Sequence, residues 1–168
     1  MIRAHSKLKT VKESYDFGVA KRIKDNISVN RLCVFIEGDP NTGKTYASEK
    51  AIPSEDVLKV RGGGSGKFDN LRADVGGILI DDDVCPNLLN MSDNYPCHAY
   101  KRNSNNPVWA GDHLIVTSNK TFREWLEDCG IKTTRYVDGC ARYDDTEHYE
   151  AMRSRFYICK VVNVSGVN

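Results

Sequence analysis

The eight residues Gly38 to Thr45, GDPNTGKT, combine glycines, a lysine and a hydroxyl in the spacing G-x-x-x-x-G-K-[ST]. Glycines at both ends let the backbone curl until successive N–H groups point at phosphate oxygens, and a following helix adds its positive N-terminal end. Gly38, Asp39, Pro40, Asn41, Thr42, Gly43, Lys44 and Thr45 are therefore the expected nucleotide-binding residues. Lys44 would reach the β- and γ-phosphates as a point charge, and the Thr45 hydroxyl would ligate Mg²⁺, so ATP and Mg²⁺ are the expected ligands. A second glycine segment, RGGGSGK at 61–67, fails the same spacing. Arg61 stands where the first glycine belongs and Phe68 where a hydroxyl is needed, so this stretch reads as a loop between elements.

Two further clusters complete a site for phosphate chemistry. The apolar run ILI leads into Asp81 and Asp82: Asp81 would hold Mg²⁺ through water together with Thr45, and Asp82 would orient or deprotonate the attacking water. Asp83 extends the acidic run without an assignable role. HLIVTSN ends on Asn119, whose amide can hydrogen-bond the attacking water or the γ-phosphate.

These residues need strands that end where the polar groups begin. Leu32–Ile36 (LCVFI), Gly76–Ile80 and Leu114–Val116 are short apolar runs of buried-strand character, each followed by a polar cluster, and Phe156–Val164 reads as a final strand. Ligands bind outside the carboxyl ends of the strands in an open α/β sheet, so the pattern predicts α/β architecture with a parallel sheet and flanking helices. Val11, Tyr15, Val19 and Ile23 recur every three or four residues, predicting an N-terminal helical element over residues 1–31, ahead of an ATPase domain over 32–168. That element carries eight Lys/Arg against three Asp/Glu, and its apolar face would either close the core or pack against other subunits.

Composition bounds the rest. A chain of 168 residues with 40% hydrophobic residues can bury one sizeable core, and a net charge of +1 excludes a polybasic coat, so any nucleic-acid surface must be local. No run of 18 apolar residues and no charged-then-apolar leader is present, so neither a membrane span nor a signal peptide is expected, and an intracellular location is. Six cysteines without a C-x-x-C pair read mostly as buried free thiols. A zinc site from Cys97 and His98 with Cys129 or Cys140 would match no common ligand spacing.

From about Cys33 to Val162 the segments GDPNTGKT, GKFDN, ILIDDD, DNYPCHAYKRN, IVTSNKTFREWL and EAMRSRF occur in order. Together they resemble the superfamily 3 helicase domains of rolling-circle replication initiators from circular single-stranded DNA viruses and related plasmids. The resemblance implies an AAA+-like P-loop NTPase fold, a homo-oligomeric ring of hexameric type and ATP-driven movement on single-stranded DNA. It also implies a basic hairpin in which Lys101 and Arg102 grip DNA phosphates. On physical grounds alone, that pair flanked by Tyr100 and Asn103 suits a single-strand backbone without sequence preference. The family places an arginine finger at the junction before the last strand, where Arg155 fits better than Arg153, although this chain has Arg-Ser-Arg where relatives often have adjacent arginines. The resemblance further implies an N-terminal nuclease domain outside this chain, whose scattered His5, His98, His113 and His148 form no nuclease pattern. Host cytoplasm for a plasmid, or host nucleus for a eukaryotic virus, is the implied setting.

Two readings of other classes remain open at this point. A small P-loop kinase would pass the γ-phosphoryl to a metabolite, since the loop alone does not separate water from another acceptor. A binding module would let nucleotide control oligomerisation with little turnover.

Overall fold

The computed structural model describes residues 28–51, 57–62, 68, 70–72, 75–98, 108–137 and 139–161. Nine strands and four helices occur among them: β1 Leu32–Gly38, α1 Lys44–Ala51, β2 Val57–Val60, β3 Gly77–Asp81, α2 Leu88–Met91, β4 Cys97–His98, β5 Val108–Trp109, β6 His113–Ser118, α3 Phe122–Asp128, β7 Thr134–Val137, β8 Cys140–Asp145, α4 Glu147–Arg155 and β9 Phe156–Val161.

Five strands form one sheet in the order β2-β3-β6-β1-β9, every neighbouring pair parallel. The predicted parallel α/β architecture is therefore present. Two of the three predicted internal strands run longer than expected, β1 continuing through Glu37 to Gly38 and β6 spanning His113 to Ser118, whereas β3 keeps its predicted length but is shifted by one residue to take in Asp81 and leave out Gly76. Ladder hydrogen bonds, once in register, carry polar residues that hydropathy would cut off. The last strand holds from Phe156 to Val161, and the remainder of that prediction, like residues 1–27 of the N-terminal element, lies outside the described residues. Edge strand β2 and the pair β4–β5 are too short to stand out in the sequence, and the pair β7–β8 is too polar.

The main core lies on one sheet face. Phe35 from β1 meets Phe122 and Trp125 of α3 at ring-centroid distances of 5.1 and 5.3 Å, and Phe122 lies 5.3 Å from Phe156. Aromatic packing of this kind pins α3 across β1 and β9. Helix α3 begins at Thr121, whose hydroxyl accepts from the Glu124 N–H at 3.3 Å in the T-x-x-E pattern of a capping box. Leu79 and Ile115 face the other side of the sheet with Val34, Ile36 and Val57 around them. The order of connection reverses at β1: β1 leads to the β2 edge, whereas β6 leads to β9 on the far side of β1. Such a switch point opens a crevice at the carboxyl ends of β1 and β6.

Residues 28–31 are stitched to the amino end of this sheet. The Val29 N–H donates to the Asn94 carbonyl at 2.8 Å. Arg31 is buried and donates to the carbonyls of Gly111 at 2.7 Å, Met91 at 3.0 Å and Asp93 at 2.6 Å, while its guanidinium stacks 4.1 Å from the centroid of Trp109. These carbonyls include the C-terminal end of α2, whose last acceptors have no intrahelical partner and attract a cation. Gly111 is obligatory here, since a Cβ would come within 2.2 Å of the Trp109 indole nitrogen and 2.5 Å of the Gly76 carbonyl. No helix among the described residues is long and apolar enough to cross a membrane.

Candidate functional site

The loop between β1 and α1 is shaped by its sequence. Asn41 and Gly43 both take positive φ, 64° and 82°, a region open to glycine and tolerated by asparagine. Gly38 sits where a Cβ would lie 2.9 Å from the Val161 carbonyl of β9 and 3.0 Å from Thr42 Oγ1, so the loop can leave the sheet this closely only from a glycine. Within the loop, Thr42 Oγ1 donates to the Asp39 carbonyl at 2.9 Å.

Helix α1 starts at Lys44 and so presents Lys44 and Thr45 at the carboxyl end of the sheet. Lys44 is largely buried and Nζ donates to the Asp39 carbonyl and to Asn119 Oδ1, both at 2.8 Å. The Thr45 hydroxyl donates to Asp81 Oδ1 at 2.9 Å, and the Thr117 hydroxyl donates to the same oxygen at 2.8 Å. Asp81 Oδ2 faces Arg61, whose Nε lies 3.8 Å away on a side chain that is 73% exposed. Two hydrogen-bonded groups, Lys44 with Asp39 and Asn119, and Thr45 with Asp81 and Thr117, thus lie side by side as a network of neighbouring residues that brings together the ends of β1, β3 and β6 and the three sequence clusters.

Asp82 is exposed, lines the same cleft and holds φ at 51°, with its N–H donating to the Thr117 carbonyl at 2.8 Å. Aspartate, like asparagine, adopts this left-handed conformation more readily than most residues, so the turn that bears Asp82 forms without a glycine. Asp83 has a turn-forming role: its Oδ1 accepts from the Val84 N–H at 2.8 Å, and its carbonyl accepts from the Trp125 indole at 2.9 Å, tying the acidic turn to α3.

The cleft over this network has a volume of about 400 Å³ and is lined by residues 40–46 together with Arg61, Asp81, Asp82 and Asn119. Its walls combine an ammonium, a guanidinium, loop backbone and two carboxylates, which suits a polyanion carrying a divalent cation. The oxygen donors fit Mg²⁺ in kind. Thr45 Oγ1 and Asp81 Oδ1 are adjacent hard ligands, and Mg²⁺ takes few protein oxygens because water and phosphate complete its shell. No group of three or more His, Cys, Asp or Glu side chains suited to a metal occurs among the described residues.

No family model matches the chain, and no curated protein matches it. The arrangement of its own residues therefore carries the functional argument.

Arg155 and Arg153 lie at the other end of the sheet, in the last turn of α4 just before β9. Phe156 pairs with Cys33 near the start of β1, whereas Val161 pairs with Gly38, so the length of β9, about 20 Å, separates these arginines from the loop of their own chain. Arg155 donates to the Leu89 carbonyl at 2.7 Å and to Ser92 Oγ at 3.1 Å. Arg153 is more exposed, at 52%, and is steadied by Asp145 at 3.6 Å, Glu150 at 3.9 Å and the face of Tyr149. Lys101 and Arg102 lie outside the described residues. They belong to the connection 99–107 between β4 and β5, which pair antiparallel through Cys97–Trp109 and His98–Val108.

Three residues of the site escaped the sequence reading. Thr117 was visible as part of a polar cluster, but its bond to Asp81 depends on the register that sets the two side by side. Arg61 and Tyr46 carry no motif signal. The register of Val60 with Ile80 brings Arg61 alongside Asp81.

Proposed function

We propose that this chain is an AAA+-like P-loop ATPase domain of the superfamily 3 helicase type, which hydrolyses ATP in a ring and moves on single-stranded DNA. The observation that carries the reading is the convergence of two neighbouring hydrogen-bonded pairs, Lys44 with Asn119 and Thr45 with Asp81, at the carboxyl end of a parallel sheet, under a glycine-shaped loop. In this reading Lys44 and the loop N–H groups hold the β- and γ-phosphates, and Thr45 with Asp81 holds Mg²⁺, which neutralises phosphate charge when bound. Asp82, exposed beside them, accepts the proton of the attacking water, and Asn119 fixes that water's direction.

The position of Arg153 and Arg155 supports an assembled site. Neither can approach the loop of its own chain across the sheet, so in this reading either arginine would act on a neighbouring subunit's cleft, in addition to the Arg61 guanidinium that the cleft already has in its own chain. The antiparallel pairing of β4 with β5 supports the DNA-gripping hairpin, because it puts Lys101 and Arg102 on the connection between two paired strands.

Hydrolysis measured over a range of protein concentrations, with and without single-stranded DNA, tests the motor. Turnover per subunit should rise as rings form and respond to DNA. Flat activity with no DNA response would favour a kinase, and nucleotide binding without turnover would favour a switch.

A further inference from the structure

Arg61 and Tyr46 are the cleft side chains that neither the loop motif nor the acidic and asparagine clusters assign, and of the two Arg61 carries the charge. It follows directly on edge strand β2, and the parallel register of Val60 with Ile80 sets it beside Asp81 at the carboxyl end of the sheet. Gly62 then takes φ of 63°, turning the chain away immediately after the arginine. The Arg61 guanidinium lines the cleft with Nε 3.8 Å from Asp81 Oδ2, on the side of that carboxylate opposite the oxygen bonded by Thr45 and Thr117. An ion pair at that distance, with 73% of the arginine side chain exposed, contributes little to the fold and is easily exchanged. A guanidinium beside the cation-holding carboxylate has one obvious alternative partner, the phosphate oxygens that the cation also draws in. Its planar fork matches such oxygens better than it matches the long, single contact to Asp81.

We propose that Arg61 is a specificity-determining residue that reads the terminal phosphate of the bound nucleotide, pairing with Asp81 when that phosphate is missing and with the γ-phosphate when it is present. The inference rests on the nucleotide-binding reading above. Lys44, reaching from the helix end of the loop, meets the β-phosphate that nucleoside di- and triphosphates share as well as the γ-phosphate, whereas Arg61, reaching from β2 across Asp81, meets the γ-phosphate alone. The protein thereby acquires a preference for ATP over ADP that does not depend on hydrolysis.

The test is equilibrium binding of ATP and ADP by calorimetry to the full chain, as wild type, Arg61→Ala, Arg61→Lys and Lys44→Ala. Each is measured with Mg²⁺ and again with excess chelator, because loss of Arg61 also alters how Asp81 presents itself to the cation. Arg61→Ala should weaken ATP by about tenfold and ADP by less than about twofold, with or without the cation, and Arg61→Lys should keep part of the preference. An unchanged ATP-to-ADP ratio in Arg61→Ala, or a change seen only with Mg²⁺, would overturn the role of Arg61 while leaving the nucleotide site intact. Wild type that binds neither nucleotide would bring down the site and the inference together. Lys44→Ala separates the cases by weakening both nucleotides in a protein whose site is real.

Discussion

The two ends of the sheet are built from the same residue types and use them in opposite ways. At the amino end, the guanidiniums of Arg31 and Arg155 are directed at carbonyls and a hydroxyl of their own chain, among them Met91, Gly111, Leu89 and Ser92. At the carboxyl end, Lys44 bonds one side chain and one carbonyl, Arg61 rests 3.8 Å from a single carboxylate, and Asp82 stands exposed in a left-handed turn. Cations that satisfy many fixed acceptors brace a fold. Cations left with exchangeable partners around a 400 Å³ cleft are placed for a ligand. Mutations at the amino end should therefore act on stability, and mutations at the carboxyl end on binding and turnover.

The sharpest way to break this contrast is Arg31→Ala. Removing it strands the carbonyls it serves and uncovers Trp109, at a cost of about 3–4 kcal/mol. Urea unfolding should show the loss as a lower midpoint at unchanged slope, and a near-neutral result would mean that the amino end is not braced as described.

Next comes the pair of α4 arginines. Arg155→Ala leaves the Leu89 carbonyl and Ser92 without their donor and should cost about 1–2 kcal/mol, whereas Arg153→Ala, at an exposed site, should stay within about 0.5 kcal/mol. Hydrolysis by the two variants, measured below their unfolding transitions, then separates brace from finger. Arg153→Ala with wild-type stability and lost turnover identifies the arginine acting in trans, and lost turnover in Arg155→Ala alone returns the role to Arg155.

The smallest effect concerns the thiols. Burial pushes Cys33 up to about 11 against the opposing pull of Arg31 and Arg155, and it likewise raises Cys97. A thiol whose folded pKa lies above its ordinary 9.0 stabilises the fold below that value, and this contribution fades as pH rises towards 11. At pH 8 a thiol reagent should therefore modify exposed Cys159 well before Cys33 or Cys97. Rapid labelling of Cys33 in the native protein would show that the amino end opens easily.

Legibility from sequence followed the same division. The carboxyl end was readable because its chemistry is local: GDPNTGKT, the acids after ILI and the asparagine after IVTS each sit within a few residues of a strand end, and a parallel sheet brings strand ends together. Arg61 and Thr117 were not readable as site residues, since only the registers of β2 with β3 and of β3 with β6 bring them to Asp81. The amino end was almost wholly hidden. Arg31 binds carbonyls 60 and 80 positions away and looks in sequence like one more cation in a basic leader. Arg155 was legible as chemically interesting, but the carbonyl it caps is 66 positions distant, so its bracing role was not.

The claim on which the account stands is that the carboxyl end of the sheet is a hydrolytic nucleotide site. The measurement that bears on it most directly is Mg²⁺-dependent ATP hydrolysis by wild type and Lys44→Ala, each checked for native unfolding behaviour. The account predicts turnover in the wild type and a loss of about 100-fold or more in a natively folded Lys44→Ala, at a stability cost of about 1–2 kcal/mol like that of Arg155→Ala, because Lys44 also donates to one side chain and one carbonyl. Wild-type turnover that persists in a folded Lys44→Ala protein, or a wild type inert towards ATP, would contradict it.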